Sequence, residues 1–238
     1  MVKPARIEPG LERIAFECDP AIWLANSTSY AVPRQQRSRA ALERIITAAV
    51  SLFGSKGFEA TRVSEIAKAA EVPIGSLYQR FSDKNAILKT VIDGYRAFRM
   101  DEIRALCRGP EAQGFAPAEV VALHINIIFT AFQVDAGLLR LLERRRLDDA
   151  ETHQDLSDAN SEVANLIADL LVAKLPDRDA DTLRRKVFYI HNIVRGSVVW
   201  ATLPEAGEFN PGLRANDADY ARAAYDMALA YLELSPAS

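Results

Sequence analysis

Cysteine is scarce in this chain: two residues in 238, Cys18 and Cys107, too few to staple a fold and sharing no metal-ligand spacing. The expectation is reduced thiols in a cytoplasmic setting and a core that stands on apolar burial. Histidine is nearly as rare, with three residues, His124, His153 and His191. No serine elbow, phosphate-cradling glycine loop or HExxH pair appears, so an enzyme is not expected, nor any cofactor or metal. No apolar run is long enough to span a bilayer or to serve as a signal peptide, so no membrane partner is expected. There is no internal repeat. Nor does one sign of charge dominate: 29 Lys/Arg stand against 32 Asp/Glu, net −3. As a total, that balance argues against a nucleic-acid partner.

Its distribution argues the other way. Between Arg34 and Thr90, ten Lys/Arg meet five Asp/Glu, a net +5, which leaves 19 against 27, or −8, on the remainder. A basic segment on an acidic chain still binds phosphate locally, because salt screens charges beyond about 8 Å. The chain is 49% apolar and 26% charged, a globular composition with length for one small and one larger domain.

The basic segment is the most patterned. Leu42, Ile45, Ile46, Ala49, Val50 and Phe53 recur with a 3.6-residue period, one face of an amphipathic helix. Ser38 suits its N-cap, and Gly57 sits where a left-handed stop needs no Cβ. Thr61 then reads as the cap of a short helix, Arg62 to Ala70, with Val63, Ile66, Ala67 and Ala70 inside. Pro73 cannot extend that helix but suits the first turn of another, Ile74 to Phe81. Leu77 and Phe81, four apart, would bury the second helix. That leaves Ile74, Gly75, Ser76, Tyr78, Gln79 and Arg80 facing outward: small residues for close approach, a phenol for phosphate, and two side chains that bond base edges or phosphates. Ser82-Asp83 caps the next helix, and Lys84 in its first turn opposes the dipole, which calls for an anion outside the protein.

Residues 39–92 resemble the DNA-binding domain of the tetracycline-repressor (TetR) family of bacterial transcriptional regulators. The resemblance rests on Ile46-x-x-Ala49, Leu52-Phe53, Gly57-Phe58, Thr61-Arg62-Val63-Ser64-Glu65-Ile66-Ala67, Val72, Gly75-Ser76-Leu77-Tyr78, Phe81 and Asp83-Lys84. Three positions depart from the family pattern: Arg62 and Pro73, each where Ser or Thr is usual, and Glu71 where Gly is common. The resemblance implies that Thr61, Arg62, Tyr78 and Lys84 grip phosphates. It places Ser64, Ile74, Gly75, Ser76, Gln79 and Arg80 against bases or groove walls. It also implies a homodimer reading a palindromic double-stranded operator, half-sites about 34 Å apart or a multiple, and release by a small-molecule effector. An architectural or non-specific DNA binder is the alternative, with an all-helical enzyme further behind.

Beyond Asp83 the chain reads as helices over Lys84–Cys107, Ala118–Val134, Gly137–Leu147, Asp149–Leu175, Asp181–Leu203 and Asp217–Leu234, with a loop at 108–117. The second of these is apolar all round and implies burial on every side. Val187, Ile190, Val194, Val198 and Ala201 on one late helix, and Tyr220, Ala223, Ala224, Met227, Tyr231 and Leu234 on the last, resemble the dimer-forming pair of the family. His124, Ile128, Phe188, Asn192 and Arg195 are the candidate effector contacts, polar groups among apolar walls. The expected architecture is all-α. Residues 1–37 are expected to form an extension whose basic run, Arg34 to Arg39, is either an arm for DNA or a solvated linker; 38–83 a helix-turn-helix domain; 84–238 a helical effector-binding and dimerisation domain. Ala21-Ile22-Trp23-Leu24 is apolar enough to dock on the rest of the chain.

Overall fold

The computed structural model describes residues 36–134, 136–202 and 218–236. The arm at Arg34 and the segment at Ala21 lie outside them. Among the described residues there are ten helices and no strand: α1 Gln36–Lys56, α2 Val63–Ala69, α3 Ile74–Tyr78, α4 Lys84–Arg108, α5 Pro110–Gly114, α6 Pro117–Val134, α7 Ala136–Asp148, α8 Ala150–Lys174, α9 Ala180–Thr202 and α10 Ala218–Leu232. No single helix among them is long and apolar enough to cross a membrane.

The helices fall into two compact units. The N-terminal unit runs through residue 101 and takes in 137–145; the C-terminal unit holds 102–136 and the chain from 146 on. The first unit is thus larger than the expected 38–83, and the reason is packing. Leu42, Ile45, Ile46, Ala49 and Phe53 of α1 are buried, as are Ile66 and Ala67 of α2, Leu77 of α3, and Ile87, Leu88 and Val91 of α4. A helix of five residues like α3 is stable only when neighbours hold it, and the first turns of α4 belong to the core that does so. α7 closes against α1 at a glycine pair: a Cβ on Gly137 would lie 3.0 Å from Gly54 Cα and 3.2 Å from its carbonyl oxygen.

Local starts and stops differ from expectation in four places. α1 already includes Gln36, so Ser38 lies inside the helix and is not its cap. Thr61 does not cap α2: it is 1% exposed, and its hydroxyl donates to the Gly57 carbonyl at 2.8 Å. Instead Arg62 takes the cap position, and its amide donates to Glu65 Oε2 at 2.9 Å. Arginine has no acceptor, so only this half of a capping box forms. The 108–117 segment holds α5, because Pro110 at the first turn starts a helix as readily as it ends one. Finally, α3 keeps regular helix only to Tyr78, with Gln79 and Arg80 in a turn.

Two predicted ends hold. Gly57 has φ +84 and its amide donates to Phe53 O at 3.1 Å. Asp83 Oδ1 accepts from the Ala86 amide at 2.9 Å. α2 closes by a Schellman arrangement, Val72 N to Ala67 O at 3.0 Å and Glu71 N to Lys68 O at 3.2 Å, with Glu71 left-handed at φ +53.

In the C-terminal unit α6 is buried on every side, from Val120 to Phe132, and packs on α8, α9 and α10. Arg104 forks onto Glu162, Nε to Oε1 at 2.5 Å and Nη2 to Oε2 at 2.8 Å. The end of α10 is tied by Arg178, which donates to the Leu232 and Glu233 carbonyls, and by Lys186, 2.7 Å from the Glu233 carboxylate. The inward face of α9 is Leu183, Val187, Ile190, His191, Val194 and Val198. These residues therefore close the unit's own core, and the expectation that they meet a second copy is corrected. On α10 the inward face is Ala221, Ala224, Tyr225, Ala228, Leu229 and Leu232.

Candidate nucleic-acid interface

The reading helix is pinned from behind and open in front. Leu77 is fully buried and Phe81 nearly so, which turns Ile74 (46% exposed) and Tyr78 (52% exposed) outward. Gly75, Gln79 and Arg80 are exposed and Ser76 is half-buried beside them. A Cβ at Gly75 would meet nothing within 4 Å, so the chain keeps open space there. Six of the ten sequence-predicted contacts thus share one outward strip. Arg62 and Ser64, at the start of α2, are exposed as well.

Thr61 and Lys84 are placed otherwise. The Thr61 hydroxyl is spent inside the protein, on Gly57 O at 2.8 Å and Leu52 O at 3.3 Å, so its side chain does not face phosphate. Lys84 does not need an anion from outside to offset its place in the first turn. Its Nζ donates to Phe58 O at 2.7 Å and Glu59 O at 3.3 Å and lies 4.2 Å from the Phe58 ring centre. Its charge persists near the surface, but its geometry is set by the α1–α2 connection.

Two contacts that the sequence reading missed position the strip. Arg80 Nη1 donates to Ser38 Oγ at 2.9 Å, which ties the end of the reading helix to the start of α1. Arg44 Nε donates to Ala70 O at 2.9 Å and fixes the end of α2. Neither contact is inferable from periodicity, since each joins an exposed arginine to a partner 26 or more residues away, one of them a backbone carbonyl. Glu65 shares the first turn of α2 with the exposed Ser64, next to Arg62. The Lys56 ammonium at 2.6 Å and the Arg62 amide hold its carboxyl below the usual range. It stays ionised and neutralised, and so does not repel a phosphate backbone.

The candidate effector contacts are scattered. His124 (2% exposed) and Ile128 (4% exposed) are in the core of the C-terminal unit. Phe188 and Arg195 flank it half-buried, and Asn192 is exposed, its amide donating to Phe188 O at 2.9 Å. The stripe 188–192–195 is therefore the shoulder of α9, and Asn192 is corrected to a surface residue. What His124 meets is His191: Nε2 to Nδ1 at 2.9 Å, rings stacked at 5.2 Å and 15°. His191 falls within the apolar stripe of α9, which is the signal that would have found it. Asn160 Nδ2 donates to Leu156 O at 2.7 Å, so its Oδ1 faces His191 Nε2 at 3.4 Å. That sets the hydrogens: His191 carries one on Nε2, and His124 donates from Nε2 to His191 Nδ1. Burial pushes both imidazoles down, His191 to about 4 with the Arg195 charge assisting, so both are neutral at pH 7.

Residues 45–91 match the family model described as bacterial regulatory proteins, tetR family. Over 100 residues the chain is 31% identical to an uncharacterised HTH-type transcriptional regulator, YerO, of Bacillus subtilis (strain 168), covering 42% of this chain and 34% of that protein. Over 135 residues it is 25% identical to the HTH-type transcriptional repressor KstR2 of Rhodococcus jostii (strain RHA1), covering 56% and 64%. The chain spans about a third of the length of the first relative. Among solved structures, a putative TetR-family transcriptional regulator from Mesorhizobium loti MAFF303099 superposes with a TM-score of 0.63 at 19% identity, over 82% of this chain and 98% of that one.

Proposed function

We propose, from the match of residues 45–91 to the tetR family model, that the chain is a sequence-specific DNA-binding transcriptional regulator of that family. It acts as a homodimer that represses from a palindromic operator and lets go when a small molecule enters the C-terminal unit. The observation that carries the reading is the outward strip Ile74, Gly75, Ser76, Tyr78, Gln79 and Arg80 on a helix held by Leu77 and Phe81. Tyr78, Arg80 and Arg62 bond phosphates. Ile74, Gly75 and Gln79 meet base edges, where Gln79 suits adenine and Ile74 a thymine methyl.

The dimer forms on the apolar side chains that α9 and α10 turn outward: Tyr189, Ile193 and Trp200, with Met227 and Tyr231, each 41–58% exposed. The effector lies against α6, near His124 and Ile128. α4 runs through both units. An effector that binds one setting of α4 better than the other shifts the spacing of the two reading heads.

The test is a footprint on DNA upstream of the chain's own gene, with titration of the protected duplex. A short palindromic footprint, with Tyr78→Ala lowering affinity about 5- to 30-fold on every sequence, is expected. Broad protection without a palindrome would show an architectural binder instead.

A further inference from the structure

The outer side of α1 carries a groove of about 530 Å³, lined by Ala40, Thr47, Ala48, Ser51, Leu52 and Ala69, with Glu43 and Arg44 at its rim. It lies on the N-terminal unit alone, away from the inward residues Leu42, Ile45, Ile46, Ala49 and Phe53. A solvent-facing helix surface ordinarily carries long charged side chains. Here small residues leave a trough wide enough for an aromatic side chain.

We propose that this groove is the docking site of the chain's own segment Ala21-Ile22-Trp23-Leu24, with Trp23 seated in the trough. Three observations favour that occupant. The first is reach. The chain enters α1 at Gln36, one turn before Ala40. The twelve steps from Leu24 to Gln36 span up to about 40 Å, whereas Ala40 to Leu52 covers about 18 Å of helix. Every part of the groove is accessible to the segment.

The second is composition. Residues 21–25 are the longest apolar run before α1 and hold one of the chain's two tryptophans. An indole buries about 150–250 Å² and fills a trough lined by alanine and serine. The third is charge. Within 36–101 and 137–145, 14 Lys/Arg meet 8 Asp/Glu, so the N-terminal unit is +6 there, while Glu17 and Asp19 just before the run are acidic. At the rim Glu43 already pairs with Arg39 at 3.1 Å, and Arg44 gives its Nε to a neutral carbonyl. The rim charge met by the incoming acids is therefore that of Arg44.

The proposal stands on the groove and does not depend on the DNA-binding reading.

The full-length protein labelled with 5-fluorotryptophan tests it, because the chain has only Trp23 and Trp200 and Trp23→Phe assigns the two fluorine resonances. The expected result is a Trp23 resonance displaced from its position in denaturant. Ser51→Glu, which puts a charge in the trough, returns it to that position, while Ser55→Glu outside the trough and the Trp200 signal leave it unmoved. Ser51 and Ser55 are both exposed, so neither substitution threatens folding. A Trp23 resonance already at the denatured position, or one indifferent to Ser51→Glu, overturns the proposal. So does a resonance that returns to that position on dilution, which would make the occupant a second copy.

Discussion

Glu71 holds a left-handed backbone at φ +53 because α2 must stop sharply before Pro73. A residue with a Cβ loses about 1–2 kcal/mol there, and glycine gives back part of that through the unfolded chain. The side chain is exposed and packs on little. Glu71→Gly should therefore stabilise the protein by about 0.5–1 kcal/mol in urea unfolding. The histidine pair makes a second prediction at this scale. His191 is neutral in the fold down to about pH 4, against an ordinary value of 6.5. The unfolded chain binds that proton first, so its contribution is complete above pH 6.5, falls away between pH 6.5 and about 4, and is gone below that. The loss approaches about 3 kcal/mol. Unfolding measured from pH 7.5 to pH 4 should show this slope, and His191→Gln should reduce it to the share that His124 keeps.

At the scale of elements, close approach decides more than propensity. The Gly54–Gly137 crossing brings backbone against backbone, and a methyl on Gly137 would sit 3.0 Å from Gly54 Cα. Gly137→Ala should cost about 1–2 kcal/mol even after the helix-propensity gain of alanine. Gly94, within α4, has nothing within 4 Å of an added Cβ. Gly94→Ala should instead stabilise by about 0.5–1 kcal/mol, and thermal unfolding of the two variants reads the contrast. The same scale explains what the amino-acid order could reveal. Leu77 and Phe81, four apart on a short helix after Pro73, suffice to say which side chains of α3 look outward, and they do. α9 is harder, because it is apolar on two sides. Val187, Ile190, Val194 and Val198 line one side, and Tyr189, Ile193 and Trp200 the other. Periodicity finds both stripes and cannot say which meets α6. That choice is made by packing partners remote in sequence, and it carried His191 inward and Asn192 outward. The internal partners of Thr61 and Lys84 were hidden for a related reason: backbone carbonyls at 57, 58 and 59 compete for their donors, and carbonyls are invisible to residue type.

For the whole molecule the outward stripe of α9 sets the prediction. Ile193 is 58% exposed, so a glutamate there costs the isolated chain little but buries a charge in any twofold contact. Ile193→Glu should sediment as a monomer and bind a full operator at least tenfold more weakly, with its unfolding free energy per chain little changed. A variant that remains dimeric would place the contact elsewhere. The +5 segment on a −3 chain also makes affinity a function of salt. The slope of log affinity on log salt counts the phosphates neutralised and falls by about one for each phosphate-bonding arginine removed.

Lys84, clasped by the carbonyls of Phe58 and Glu59, is chemically reticent. Amine-directed acylating reagents take loosely solvated lysines first, so this one should be among the last to react. Once it is acylated, the connection between α1 and α2 would lose its clasp, and mass-spectrometric reactivity at this single amine becomes a gauge of whether the reading head is assembled.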